Sequence, residues 1–299
     1  MEALLSINNL SKQYGKLIAV KNLSFEVKKG SVFGMLGPNG SGKTTTLGMI
    51  LGVTHPSAGK FSWFGKSLSK ESLLRIGAIL ETPNFYPYLT AENNLRITAD
   101  IKKVNYSSAE EVLQTVHLSE RRKDSFKSYS LGMKQRLAIA SALISKPEVL
   151  ILDEPTNGLD PQGIADVREL IGKIAANGTT IILASHLLDE VEKVCTDVVV
   201  LKKGETLYCG KVSELMSGEE TFELASADLM MLERTMKEFS LVKSAYVEGD
   251  KLIIIPGEKT DGATINQYLI SKGIVLSHIQ LRKKSLEKNF LDLIKKNNA

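Results

Sequence analysis

The chain has 299 residues, of which 43% are hydrophobic and 24% are charged, a composition typical of a globular protein with a sizeable core. The formal net charge of +4 is too small to predict a nucleic-acid partner. No run of about 18 apolar residues indicates a membrane-spanning helix, and the N-terminal residues lack the basic and apolar regions of a signal peptide.

Residues 1–216 alternate strand-like runs with helical patterns, which predicts an α/β domain built on a parallel sheet. Runs 149–152 and 180–183 are continuously apolar, as in strands that are buried on both faces. The expected strands are 5–7, 24–27, 32–36, 76–80, 149–152, 180–184 and 198–201. The expected helices are 43–52, 108–116, 131–145, 161–176 and 187–194.

The pattern changes near residue 219, and residues 220–299 predict a small α+β domain after a linker near 216–219. A Glu-Gly-Asp turn at 248–250 predicts a hairpin between two of its strands. The expected strands are 221–224, 242–248, 251–255 and 274–281, and the expected helices are 227–239, 264–272 and 285–296.

The first chemical motif lies between the strand at 32–36 and the helix at 43–52, and it fits the phosphate-loop pattern G-x-x-x-x-G-K-[ST]. Glycines let successive backbone N–H groups turn towards a phosphate, the lysine reaches the outer phosphates, and the threonine hydroxyl can ligate Mg²⁺. The motif consists of Gly37, Pro38, Asn39, Gly40, Ser41, Gly42, Lys43 and Thr44.

Two carboxylates, Asp153 and Glu154, follow the apolar strand at 149–152. Ligands bind at the carboxyl ends of strands in open α/β sheets. Asp153 is therefore expected to hold Mg²⁺, directly or through water, because hard cations prefer oxygen ligands. Glu154 is expected to orient and deprotonate the attacking water.

Two further positions have both a functional and a structural interpretation. Ser130 and Gly132 begin the helix at 131–145, whose N-terminus can bind an anion, but Ser130 can equally be an ordinary N-cap. His186 ends the strand at 180–184, from which it can reach the γ-phosphate edge, although a histidine there is usually structural. Asp160 lies in a turn just after the carboxylates.

The order of these motifs resembles the ATP-binding subunit of ABC transporters, over residues 4 to about 215. The matching segments are Walker A (37–44), the signature (130–136), Walker B (149–154), the D-loop (158–160, including Asp160) and the switch histidine, His186. The resemblance implies the P-loop NTPase fold of ABC ATPases, with a helical subdomain at about 85–145. The implied cofactors are ATP and Mg²⁺.

The resemblance also implies how the residues and partners act. Two copies of the chain would sandwich two ATP molecules head to tail, so that each phosphate loop faces Ser130 and Gly132 of the other copy. Thr45, directly after the loop, would also bind the nucleotide. Tyr14 would stack on adenine, although by itself it reads as a surface aromatic. A separate integral-membrane permease would hold the chain in the cytoplasm, peripheral on the inner face of the membrane, with no nucleic acid involved.

Three departures from the family pattern are informative. Leu131 and Met133 stand where the usual signature has a glycine and a glutamine, and Glu81 stands where the Q-loop has glutamine. Glu81 would be a Mg²⁺ ligand by this resemblance, or else a solvent-facing loop residue. Together with the C-terminal domain, these departures resemble the bacitracin-resistance and lantibiotic-immunity branch.

The expected function is hydrolysis of ATP to ADP and phosphate, with Lys43, Glu154 and His186 as catalytic residues, coupled to export of an antimicrobial peptide, drug or lipid-like compound. The segment 81–118 is expected to dock the permease, with Phe85, Tyr86 and Tyr88 either filling a groove or packing internally. Two alternatives stay open, namely a soluble ABC ATPase that acts on ribosomes or DNA and a regulatory nucleotide-binding module without turnover.

Overall fold

The structure is a computed structural model that describes residues 2–80, 84–216, 220–257 and 260–282. The chain divides into two compact units, Met1–Val212 and Ser213–Ala299. Among the described residues, no helix combines the length and the apolar character needed to cross a bilayer.

The first unit contains nine strands and seven α-helices among its described residues. The strands are β1 (Ala3–Tyr14), β2 (Leu17–Lys28), β3 (Val32–Leu36), β4 (Ala58–Trp63), β5 (Ile76–Ile79), β6 (Val149–Asp153), β7 (Thr180–Ser185), β8 (Asp197–Lys202) and β9 (Glu205–Lys211). The helices are α1 (Lys43–Ile50), α2 (Lys70–Leu74), α3 (Ala91–Lys102), α4 (Ser107–Thr115), α5 (Leu131–Leu143), α6 (Pro161–Ala176) and α7 (Leu188–Val194).

A six-stranded sheet in the order β5-β6-β7-β3-β8-β9 forms the centre of this unit. All neighbouring strands are parallel except β8 and β9, which pair antiparallel. Every residue of β3, β6 and β7 is buried, which is why their sequences read as continuous apolar runs. The predicted parallel sheet is therefore confirmed, and β7 lies between the strand of the phosphate loop and the strand of the carboxylates.

A second sheet, in the order β2-β1-β4, is antiparallel and packs into the same apolar core as β3 and α1. The fully buried Trp63 at the end of β4 donates its indole N–H to the carbonyl of Ile50, at 2.7 Å. Because Ile50 is the last residue of α1, this bond fixes the end of α1 opposite to the phosphate loop.

A helical segment follows β5 and precedes β6, in the region where a helical subdomain was predicted, at about 85–145. It contains α3, α4 and α5 with two short 3₁₀ turns at Ser119–Arg121 and Phe126–Ser128. The buried amide of Asn94 accepts from the backbone N–H of Tyr86 at 2.9 Å and donates to the carbonyl of Thr90 at 3.0 Å. One side chain thus ties α3 to the loop that leads into it.

The second unit has βαββαβ topology, and its four antiparallel strands follow the order β11-β12-β10-β13. This is the connectivity of ferredoxin-like domains. Its elements are β10 (Thr221–Ser226), α9 (Leu229–Lys237), β11 (Val242–Glu248), β12 (Lys251–Pro256), α10 (Gly262–Ser271) and β13 (Leu276–Arg282), and α8 (Val212–Met216) starts at the boundary of the units. The helix predicted at 285–296 lies outside the described residues.

One buried carboxylate, Glu223 on β10, is neutralised within the second unit. It forms ion pairs with Lys251 and Arg282, and His278 Nε2 lies 3.4 Å from its Oε1. The hydrogen bond from Lys251, supported by the charge of Arg282, holds the pKa of Glu223 below its usual range. The sheet can therefore bury this acid in its ionised form.

The contact between β5 and α5 generates a prediction about packing. A Cβ atom on Gly77 would lie 2.1 Å from the backbone carbonyl oxygen of Ala142, and a helix backbone cannot move away cheaply. We expect Gly77→Ala to lower the free energy of unfolding by about 1–3 kcal/mol or more. Urea unfolding followed by fluorescence of the single tryptophan, Trp63, measures this in the first unit.

Gly172→Ala is the matched control, because Gly172 lies inside α6 and a Cβ there meets nothing within 4 Å. We expect this change to raise stability by about 0.5–1 kcal/mol, the usual gain for alanine over glycine in a helix. If Gly77→Ala were as stable as Gly172→Ala, the close approach of α5 to β5 would be wrong.

Candidate active site

The phosphate loop runs from the end of β3 to the start of α1. Gly40 and Gly42 adopt positive φ angles of 77° and 104°, which favour glycine. A Cβ on Gly42 would also lie 2.7 Å from the carbonyl oxygen of Ala19. The loop can therefore bring its backbone N–H groups to the N-terminus of α1, where a phosphate gains from the helix dipole.

Lys43, the first residue of α1, is only 6% exposed and lies back across the loop. Its ammonium donates to the carbonyl of Gly37 at 2.7 Å and to that of Pro38 at 3.4 Å. It also forms an ion pair with Glu154 Oε1, at 3.2 Å. The positive charge of the loop is thus held directly opposite the carboxylate that follows β6.

The carboxyl ends of β3, β7 and β6 meet at one edge of the sheet, since β7 pairs with both other strands. Thr44 Oγ1 donates to Asp153 Oδ2 at 2.8 Å, so a hydroxyl and a carboxylate oxygen converge beside the loop. Two oxygen donors suit Mg²⁺, which completes its shell with phosphate and water. No group of three or more acidic, His or Cys residues arranged for a metal occurs in the part of the chain that is described, and Mg²⁺ needs none.

Glu154 joins the loop to the switch histidine. Its Oε2 lies 2.7 Å from His186 Nδ1 and accepts from the His186 backbone N–H at 3.3 Å. Its own backbone N–H donates to the carbonyl of Ala184, at 2.9 Å, which extends the pairing of β6 with β7. The φ angle of Glu154 is +48°, which is unusual for a non-glycine residue and costs about 1–3 kcal/mol. Such backbone strain concentrates at functional sites.

Tyr14 ends β1 and lines the same cleft as the phosphate loop, a cavity of about 520 Å³. The ring is half exposed, and Lys12 Nζ lies 4.8 Å from its centroid. A purine base would fit in this cleft beside the phosphates. Stacking of adenine on Tyr14 stays a prediction. Asn39, Thr45 and Glu154 line this cleft too, together with Leu17, Ile18, Ala19 and Lys203.

Ser130 and Gly132 line a different cleft, of about 400 Å³, which also contains Asp160. Ser130 accepts from the N–H of Met133 at 3.3 Å and Asp160 accepts from that of Gly163 at 2.9 Å, so both residues act as helix N-caps. No described residue lines both clefts. Within one chain, the structure therefore does not bring the signature residues to the phosphate loop.

The departure at Leu131 has a structural consequence. Its side chain packs against the D-loop at Gly158. A Cβ atom added to Gly158 would lie 3.3 Å from Leu131 Cδ2. Leu131 is nevertheless half exposed, so it also widens the apolar surface of this cleft. Glu81, the other departure with a predicted role, lies outside the described residues.

Lys203 lines the cleft of the phosphate loop, although the sequence analysis did not predict it as a site residue. It lies in the turn between β8 and β9 with a φ of +49°. The turn is tied to the phosphate loop because Gly204 donates its N–H to the carbonyl of Ser41, at 3.0 Å. The only local signal is the Lys-Lys-Gly sequence at 202–204, which predicts a turn but gives no indication of where the turn packs.

Comparisons with known proteins agree with this geometry. The profile of the ABC transporter family matches residues 20–157. The bacitracin transport ATP-binding protein BcrA of Enterococcus faecalis is 36% identical over 300 residues, which cover 98% of this chain and 97% of that protein. The lantibiotic transport ATP-binding protein SrtF of Streptococcus pyogenes is 38% identical over 226 residues, which cover 74% of this chain and 99% of that protein.

Among solved structures, the dimeric post-hydrolysis state of the ATP-binding cassette MJ0796, bound to ADP and Pi, matches with a TM-score of 0.61. It is 26% identical and covers 70% of this chain and 98% of that chain. The family and the fold indicated by the motifs are thereby confirmed. The chain belongs to the ABC transporter family, as an ATP-binding subunit that hydrolyses ATP.

Proposed function

We propose that this ATPase powers a separate membrane-spanning permease that exports an antimicrobial peptide, from a peripheral position on the inner face of the membrane. The observation that carries the proposal is the meeting of Lys43, Glu154 and His186 at one sheet edge. Within one site, Lys43 supplies a cation for the γ-phosphate and Glu154 supplies a base for the water. His186 holds Glu154 in position through a hydrogen bond.

Hydrolysis on this scheme is a matter of positioning and charge. The γ-phosphate of ATP gives Lys43 a stronger anionic partner than Glu154 Oε1, which now lies 3.2 Å away. That oxygen is then released to orient the attacking water and take its proton, while Oε2 stays against His186. The backbone N–H groups of the loop offset the charge on the outer phosphates.

Thr44 and Asp153 are the residues that would hold Mg²⁺, given the 2.8 Å separation of their oxygens. When bound, Mg²⁺ neutralises charge that develops on the phosphate oxygens. Asp153 is almost fully buried and sits at the end of a buried strand, so its carboxylate is fixed in place before a nucleotide arrives.

The separation of the two clefts supports a head-to-tail dimer. A phosphate loop that lacks Ser130 and Gly132 in its own cleft would receive them from a second copy, which brings the N-terminus of α5 to the γ-phosphate. Asp160 belongs to the same cleft as Ser130, so the D-loop would take part in this contact. The related cassette MJ0796 is dimeric.

The permease would bind beside the helical segment. A groove of about 580 Å³ there is lined by residues from β5, α3 and α5 and by Phe85 and Tyr86. Tyr88 is 75% exposed, whereas Phe85 packs edge-on against Phe126 with centroids 5.1 Å apart. Of the three aromatic residues predicted for docking, Tyr86 and Tyr88 are therefore the more exposed candidates for contact, whereas Phe85 lines the groove and packs partly against Phe126.

The relatives support the choice of cargo. One is named for bacitracin transport and matches over the length of both chains, and the other is named for lantibiotic transport. The second relative aligns over 99% of its own length with 74% of this chain. The cassette can therefore couple to export without a counterpart of the whole second unit, and we regard residues 220–299 as an accessory domain.

The role of Glu154 is tested by Glu154→Gln. We expect ATP binding to persist and phosphate release to fall about 10²–10⁴-fold, the usual contribution of a general base. Size-exclusion chromatography with ATP and Mg²⁺ should show a trapped dimer. Glu148→Gln is the matched control, since Glu148 lies just before β6 and pairs on the surface with Arg75. Unchanged turnover in Glu154→Gln would remove this residue from its role.

Exchange of residues between copies is tested by mixing two inactive variants, Lys43→Ala and Ser130→Arg. A mixed dimer has one intact loop that faces one intact signature, so random pairing should restore about a quarter of the competent sites. Phosphate release measures the recovery. The double variant mixed with Lys43→Ala has no intact loop and should stay inactive. No recovery in the first mixture, with mixed dimers present on the column, would contradict the exchange.

The cargo is tested in cells that lack the gene and are complemented with the wild type, Glu154→Gln or Glu148→Gln. We expect a lower minimal inhibitory concentration of bacitracin or a lantibiotic in cells with Glu154→Gln, because transport needs turnover. Resistance to an antibiotic that acts on ribosomes should be equal in all three strains. Equal resistance to the peptides in all three would exclude them as cargo.

A further inference from the structure

A buried carboxylate beside the active site has no part in the mechanism above. Glu190 lies on α7 and is only 3% exposed. Its Oε1 accepts a hydrogen bond from the hydroxyl of Thr156, and its Oε2 accepts one from the hydroxyl of Ser185, at 2.7 Å. Both hydroxyl groups are themselves buried, so this contact is shielded from water.

The two hydroxyls flank the reacting pair in the sequence. Thr156 follows Glu154 by two residues, and Ser185 directly precedes His186. Ser185 Oγ also accepts the backbone N–H of Leu187, at 3.0 Å, which fixes the residue after His186. A single carboxylate thus connects the segment beyond β6 to the end of β7 from the side of α7.

The energetics favour a specific role over simple packing. Removing a carboxylate from water is costly unless hydrogen bonds compensate, and both of its observed partners are neutral hydroxyls. Hydrogen bonds to a carboxylate are stronger than those between neutral groups, so two of them resist separation of the strand ends. The pairing of β6 with β7 supplies one further restraint, from the N–H of Glu154 to the carbonyl of Ala184.

We propose that Glu190 is a positioning residue for ATP hydrolysis. By holding Thr156 and Ser185 at a fixed separation, its carboxylate keeps Glu154 Oε2 at hydrogen-bond distance from His186 Nδ1. This rests on the proposed roles of Glu154 and His186. A shift of about 1 Å in a group that must aim at water can cost about 10²-fold in rate.

The test compares Glu190→Ala and Glu190→Gln with Asp189→Asn, the matched control on the same helix, where Asp189 pairs on the surface with Arg168 and Lys193. We expect Glu190→Ala to lower kcat about 10–100-fold, with the KM for ATP changed by less than about twofold. Glu190→Gln should recover part of the loss, because its amide still bonds both hydroxyls. Asp189→Asn should keep the parental kcat.

A second set of variants separates positioning from folding. Thr156→Val should reproduce the loss of kcat and Thr156→Ser should not, since only the serine keeps the hydroxyl. Adding Glu190→Ala to Glu154→Gln should lower the residual rate by less than about twofold, because Glu190 acts through Glu154. A residue that merely stabilises the fold would give the same fold-loss in both backgrounds.

The outcomes are distinguishable. Equal losses in the two backgrounds, or a loss confined to KM, would overturn the role of Glu190 and leave the role of Glu154 intact. If Glu154→Gln alone kept full turnover, the proposed function of Glu154 would fail first and the positioning role with it. Thermal unfolding of each variant shows whether a loss of rate reflects a loss of folded protein.

Discussion

The ion pair between Lys43 and Glu154 is the contact on which the arrangement of this site depends. It joins the segments that follow β3 and β6, and these two strands are not neighbours, because β7 lies between them. The intervening strand is therefore placed to contribute His186 to the same carboxylate. The parallel sheet aligns three carboxyl ends, and the buried apolar runs that form it are what allow one acid to face both a lysine and a histidine.

Much of the fold was predictable because its central strands are short, apolar and wholly buried. The predicted bounds of β3 and α6 agree with the structure, and α6 had a clear start in the N-cap Asp160 followed by Pro161. The elements β4, β9, α2, α3 and α8 were missed. In β9 no residue is fully buried, and α3 has two adjacent asparagines, so neither has a strong pattern.

For the candidate site, the sequence predicts where the residues lie in the fold but not which atoms they contact. Strand ends place Asp153, Glu154 and His186 at one edge, whereas their partners depend on packing between segments far apart in the chain. Glu190 reads as one acid in a charged helix, and only the fold shows that it is buried against two hydroxyls. Lys203 enters the nucleotide cleft because its hairpin packs on the phosphate loop, which its sequence does not encode locally.

The partners of Lys43 also suggest how the site distinguishes ATP from ADP. Two carbonyl groups and one carboxylate satisfy the ammonium, so a buried charge is never left alone. In the proposed mechanism, an incoming γ-phosphate would replace the carboxylate, since it brings more charge to the same place. A nucleotide without that phosphate would leave the contact between Lys43 and Glu154 in place, and Glu154 would then lack a free oxygen to accept a proton from water. On this proposal, the exchange of partners at Lys43 makes Glu154 available as a base only when there is a phosphate to remove.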